Sequence, residues 1–160
     1  MKLNDGARTG FFFGATSGVI TPCGLLVGLA AGTGSVTTVI SGILIVAIAD
    51  SMSDALGIHL SEESGAGNSH RRVWIATITT FITKLLVALT FVLPFLILPM
   101  DGAIIAALLW ASILITFMSW QIARLQGERA GPVVAEHLLV TAAVVVVSHL
   151  VGIWIHGLFA

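Results

Sequence analysis

The sequence predicts an all-α fold: a single polytopic membrane domain of five transmembrane helices, with the N-terminus cytoplasmic and the C-terminus outside. Three observations carry this. Hydrophobic residues fill 57% of the 160 positions, charged residues only 9%, and the mean hydropathy is +1.06. Soluble domains carry about 25% charged residues. Five apolar runs each have the roughly 20 residues that a helix needs to cross hydrocarbon. The cations of the connecting segments all fall on one side of such an arrangement, the bias that marks cytoplasmic loops.

The first run, 10–32, follows Lys2 and Arg8. Thr16, Ser17, Thr21 and Pro22 interrupt it, and it is too long for the apolar core of a cleaved signal peptide, so it reads as a span. Thr33-Gly34-Ser35 is so short that the second run, 36–60, must be an antiparallel neighbour of the first. The polar connection Ser61 to Arg72 ends in Arg71 and Arg72 and leads to the third run, 73–98. Pro99-Met100-Asp101 makes a tight joint to the fourth, 102–124. Leu125 to Pro132, with Arg124 and Arg129, leads to the fifth, 133–158. Lys2, Arg8, Arg71, Arg72, Arg124 and Arg129 therefore share one side, and the other has no Lys or Arg. Trp74, Trp120 and Trp154 fall near span ends, where indoles anchor at the lipid interface.

Gly14 and Gly18, then Gly24, Gly28 and Gly32, recur every fourth residue of the first run. Such stripes let helix backbones approach closely, within the chain or between two copies. An odd number of spans holds no complete inverted repeat of even halves, so a pathway is expected between two copies, in a homodimer formed through the first span.

Charges in the apolar runs are costly: a carboxylate at the bilayer centre costs at least about 2.5–3.5 kcal/mol. Asp50 and Asp54 nevertheless stand one helical turn apart in the second run, and Lys84 stands near the middle of the third. A rise of 1.5 Å per residue puts Asp50 and Lys84 at similar depth, with Asp54 about 6 Å nearer the cytoplasm. Asp50 is expected to pair with Lys84, as structural pair or coupling element. Asp54 is expected to lack an intrachain cation, which makes it the principal candidate metal or proton site. Ser17 and Thr21 reach comparable depths in the first run, and Pro22 frees the Gly18 carbonyl one turn earlier. Met52 and Cys23 offer softer sulfur ligands. In the fifth run His149 is read as donating one hydrogen bond across helices, and the hydroxyl stripes Thr77-Thr80 and Ser112-Thr116-Ser119 as interhelical glue. Glu62, Glu63, Glu136 and His137, with His59, His70 and Glu128, gather at the cytoplasmic mouth as a candidate cation entrance.

The lone Cys23 excludes an internal disulfide, and a net charge of −1 leaves no nucleic-acid footprint. No phosphate loop, nucleophile elbow, metalloprotease helix or paired CxxC is present, and nothing points to an enzyme or a bound cofactor.

Two segments resemble the vacuolar iron transporter family. Gly14-Ala15-Thr16-Ser17-Gly18-Val19-Ile20-Thr21-Pro22-Cys23-Gly24-Leu25-Leu26-Val27-Gly28-Leu29 is similar to its first span. Asp54-Ala55-Leu56-Gly57-Ile58-His59-Leu60-Ser61-Glu62-Glu63-Ser64 is similar to the end of its second. The resemblance implies export of Fe²⁺ or Mn²⁺ from the cytosol in exchange for protons, by a two-fold dimer. Ser17 stands where the family has an aspartate, Asp54 where it has a methionine, and the long glutamate-rich extension after the second span is reduced to Ser61–Arg72. The expected function is a divalent-metal exporter of the cell membrane, of a prokaryote rather than an organelle. Asp54, Asp50, Met52, Ser17, Thr21 and Cys23 are its candidate metal ligands, and Asp50 and Lys84 its proton-coupling or ion pair. The alternatives are a non-transporting membrane subunit and a carrier of another cation or small solute.

Overall fold

The computed structural model describes residues 3–159, and the Lys2 used to read the topology lies outside them. Six helices follow in order: α1 (Leu3–Thr33), α2 (Val36–Ser64), α3 (His70–Thr90), α4 (Leu93–Ile97), α5 (Met100–Gln126) and α6 (Ala130–Phe159). The described residues contain no strand. A break at Phe91 and Val92, just before Pro94, divides the third apolar run into α3 and α4. Five spans long and apolar enough to cross a membrane result: Asp5–Thr33, Val36–Ser64, His70–Ile97, Met100–Gln126 and Ala130–Phe159.

Each joint has a local cause. Gly34 adopts φ +61° to turn α1 into α2, and the Ser35 hydroxyl accepts from the Thr38 amide to cap the new helix. Ser69 caps α3 in the same way, accepting from the Arg72 amide. Gly127, at φ +72°, ends α5 in the left-handed conformation that glycine adopts without a Cβ penalty. α1 runs unbroken through Pro22.

α1 is the central element and touches α2, α3, α5 and α6. Its Val19, Cys23 and Leu26 form the core with Val39 and Ile43 of α2, Phe91 and Phe95 around α4, and Ala103, Ala107, Ala111 and Ile115 of α5. The outer faces carry large exposed apolar side chains, among them Ile45, Ile48, Leu56, Ile113, Leu139 and Leu150, as contact with hydrocarbon requires.

The glycine stripes of α1 are used within the chain. A Cβ at Gly10 would stand 2.4 Å from the Ala76 carbonyl oxygen, at Gly14 2.7 Å from that of Thr80, and at Gly18 3.0 Å from that of Lys84. Gly24 and Gly28 pack on Ser148, and Gly32 on Gly152. The first stripe seats α3 and the second seats α6. Both stripes thus have partners within the chain, and they do not by themselves call for a second copy.

Candidate functional site

The glycine ladder of α1 fixes α3 so that Lys84 meets α2 at mid-span. Asp50 is the middle residue of Val36–Ser64, and Lys84 is central in His70–Ile97. Lys84 is 1% exposed. Its Nζ stands 2.5 Å from Asp50 Oδ2 and also pairs with Asp54 Oδ2. The Ser17 hydroxyl of α1 donates to Asp54 Oδ2 at 2.7 Å. Three helices thus converge on one cluster, and the expected Asp50–Lys84 pair is present.

The expectation for Asp54 is corrected. Asp54 has an intrachain cation, because the lysine stem is long enough to serve carboxylates one helical turn apart at once. The cluster still does not balance. Two carboxylates and one ammonium leave a formal excess of one negative charge at the depth where charge costs most. Among the described residues no other basic side chain bonds to either carboxylate. The Asp50 and Asp54 side chains are 32% and 22% exposed, against 2% for that of Lys84, although the Asp50 Oδ2 that meets the ammonium is itself buried.

The other sequence candidates are dispersed. Met52 is 60% exposed and lines a groove between α2 and α3 with His59, Trp74 and Thr77. Cys23 lies in the apolar core and Thr21 lines a groove between α1 and α6. The structure therefore gathers Asp50, Asp54, Lys84 and Ser17 and leaves the sulfur atoms and Thr21 out of the cluster. Among the described residues no three His, Cys, Asp or Glu side chains come together. The groups that do converge are oxygen donors, the kind that suits Mn²⁺, Mg²⁺ or Ca²⁺ better than softer metals.

At the end of the bundle where α2 meets α3, Glu62 is occupied. Its carboxylate accepts from Arg72 Nε at 2.9 Å and from Asn68, pinning the turn. Glu63 is exposed, 3.9 Å from His59 Nε2. His59 Nδ1 meets the Thr77 hydroxyl at 2.9 Å, a bond from α2 to α3. Glu136 is exposed, and His137 meets Ser119 of α5 at 2.8 Å. Of the hydroxyl stripes, Thr77 and Ser119 do join helices, whereas Thr80 and Ser112 bond to the carbonyl four residues earlier in their own helix. His149 is exposed and forms no hydrogen bond among the described residues, contrary to its expected bond across helices; its position on α6 turns it off the bundle.

Compared with known protein families, characterised proteins and solved structures, the chain matches none.

Proposed function

We propose that the protein is a multi-pass carrier of a divalent cation, Mn²⁺ or Fe²⁺, moving it out of the cytoplasm across the cell membrane in exchange for protons. One observation carries this: two carboxylates share a single ammonium at mid-span, and their side chains, unlike that of the lysine, are partly exposed. A purely structural pair would be served by one carboxylate, since a second unneutralised charge in hydrocarbon costs about 2.5–3.5 kcal/mol or more. In this reading Lys84 is a tethered cation that holds the two carboxylates together while the site is empty. The arriving metal displaces the ammonium from the oxygens of Asp50 and Asp54 and adds that of Ser17; metal and proton compete for the same carboxylates, so release of one admits the other. The all-oxygen set favours Mn²⁺ over softer metals. The resemblance of 14–29 and 54–64 to the iron transporters points to the same cargo class and to export, and the basic loop ends favour a cytoplasmic N-terminus.

A second reading has its own support. Lys84 meets both carboxylates, which a membrane assembly subunit using the cluster only to fasten three helices would also show.

Reconstituted vesicles loaded with Mn²⁺ and a pH dye separate the two. A carrier releases Mn²⁺ with a counter-movement of protons, and Asp54→Asn abolishes both while the variant stays folded. No flux from the unaltered protein, or unchanged flux in Asp54→Asn, refutes the carrier reading.

A further inference from the structure

Four hydroxyl-bearing residues of the spans are fully or almost fully buried: Ser51, Thr80, Ser119 and Thr141. Three follow one rule. Thr80 donates to the Ala76 carbonyl at 2.8 Å, Ser119 to that of Ile115 at 2.6 Å, and Thr141 to that of His137 at 2.8 Å, each four residues back in its own helix. This is how a hydroxyl is satisfied inside a membrane helix. Ser51 breaks the rule. It is 0% exposed, and its Oγ has no hydrogen-bond partner.

The place of the exception matters. Ser51 belongs to the buried stripe of α2, Val39, Ile43, Ala47, Ser51 and Ala55, and is its polar member. It adjoins Asp50 and precedes Asp54 by three residues, the spacing at which helical side chains are neighbours. Alanine at this position would continue the Ala47 and Ala55 pattern without an unsatisfied oxygen. Buried polar atoms in native proteins are paired, and one that is not calls for a reason.

We infer that the Ser51 hydroxyl is a further oxygen ligand for the cation that replaces Lys84 between Asp50 and Asp54. The inference rests on the cation-carrier reading of that cluster. With Ser17 it would give the metal hydroxyls from two helices beside the two carboxylates. A hydroxyl keeps the donor set hard, so Ser51 is also a determinant of metal preference.

The test is Mn²⁺ flux in reconstituted vesicles, with Cd²⁺ as competitor, for the unaltered protein, Ser51→Ala and Ser51→Cys. Ser51→Ala should raise the KM for Mn²⁺ about tenfold, equivalent to about 1.4 kcal/mol. Ser51→Cys, similar in size but bearing soft sulfur, should make Cd²⁺ about tenfold more potent as an inhibitor than it is for the unaltered protein. A packing role predicts a different pattern: a higher melting temperature for Ser51→Ala, with KM and Cd²⁺ sensitivity unchanged in both variants. That pattern overturns the ligand assignment while leaving the carrier reading intact. Absence of Mn²⁺ flux in the unaltered protein overturns both.

Discussion

Replacing Lys84 by methionine keeps the length and the apolar stem of the side chain and removes its charge. The ammonium is 1% exposed and pairs with both Asp50 and Asp54, so its loss leaves two carboxylates one turn apart with no counter-charge among the described residues. Removing one partner of a buried ion pair costs about 3–5 kcal/mol. For a chain of this size each kcal/mol lowers the melting temperature by about 2–4 °C, so Lys84→Met should melt about 6–20 °C lower. An exposed ion pair contributes only about 0–1 kcal/mol, which would appear as a drop of about 4 °C at most. Tryptophan fluorescence of detergent-purified protein, at one pH and with chelator present, reads the difference. The triple variant Lys84→Met, Asp50→Asn, Asp54→Asn should regain part of the loss, because it leaves no uncompensated charge in the cluster. A drop below about 4 °C for the single variant, or no recovery in the triple one, would refute the idea of a sealed and mutually dependent cluster.

Two other substitutions test how the cluster is held. Gly14→Val puts a Cβ 2.7 Å from the Thr80 carbonyl oxygen and must push α3, with Lys84, away from α2. A loss of about 1–3 kcal/mol in thermal melting is expected, against no change in the control Gly157→Ala, where a Cβ meets nothing within 4 Å. Ser17→Ala removes the donor to Asp54 and should cost about 1.5–3 kcal/mol, the range for a hydrogen bond to a charged group. Urea unfolding of the two proteins side by side measures it, and equal stability would show that the Ser17 bond contributes nothing.

Much of the fold was legible because hydrocarbon imposes a simple length rule, and all five runs appear as spans close to their expected bounds, most of them somewhat longer. The break at Phe91 and Val92 was not foreseen, since Pro94 is compatible with a continuing helix as well as with a new start. Of the cluster, the Asp50–Lys84 pair could be read from depth along antiparallel helices. The second bond, to Asp54, could not, because depth counts backbone rise and ignores the reach of a four-carbon stem. Met52 and Cys23 failed to join for a related reason. Proximity in sequence to Asp50, or to the polar patch of α1, does not fix the direction around the helix, and both face elsewhere. The glycine stripes gave the close approach but not its partner, as a small-residue face looks the same whether this chain or a second copy fills it. Ser51 left a faint signal, as the serine in a buried stripe between two alanines, but its unsatisfied hydroxyl is visible only in three dimensions.

The central claim is that the unbalanced carboxylate charge exists to receive a cation. Equilibrium dialysis of the detergent-purified protein against Mn²⁺, at one pH, tests it most directly by counting ions per chain. The account predicts one saturable site in the unaltered protein and none in the Asp50→Asn, Asp54→Asn double variant. Equal Mn²⁺ uptake by the two proteins, or no saturable uptake by either, would contradict it.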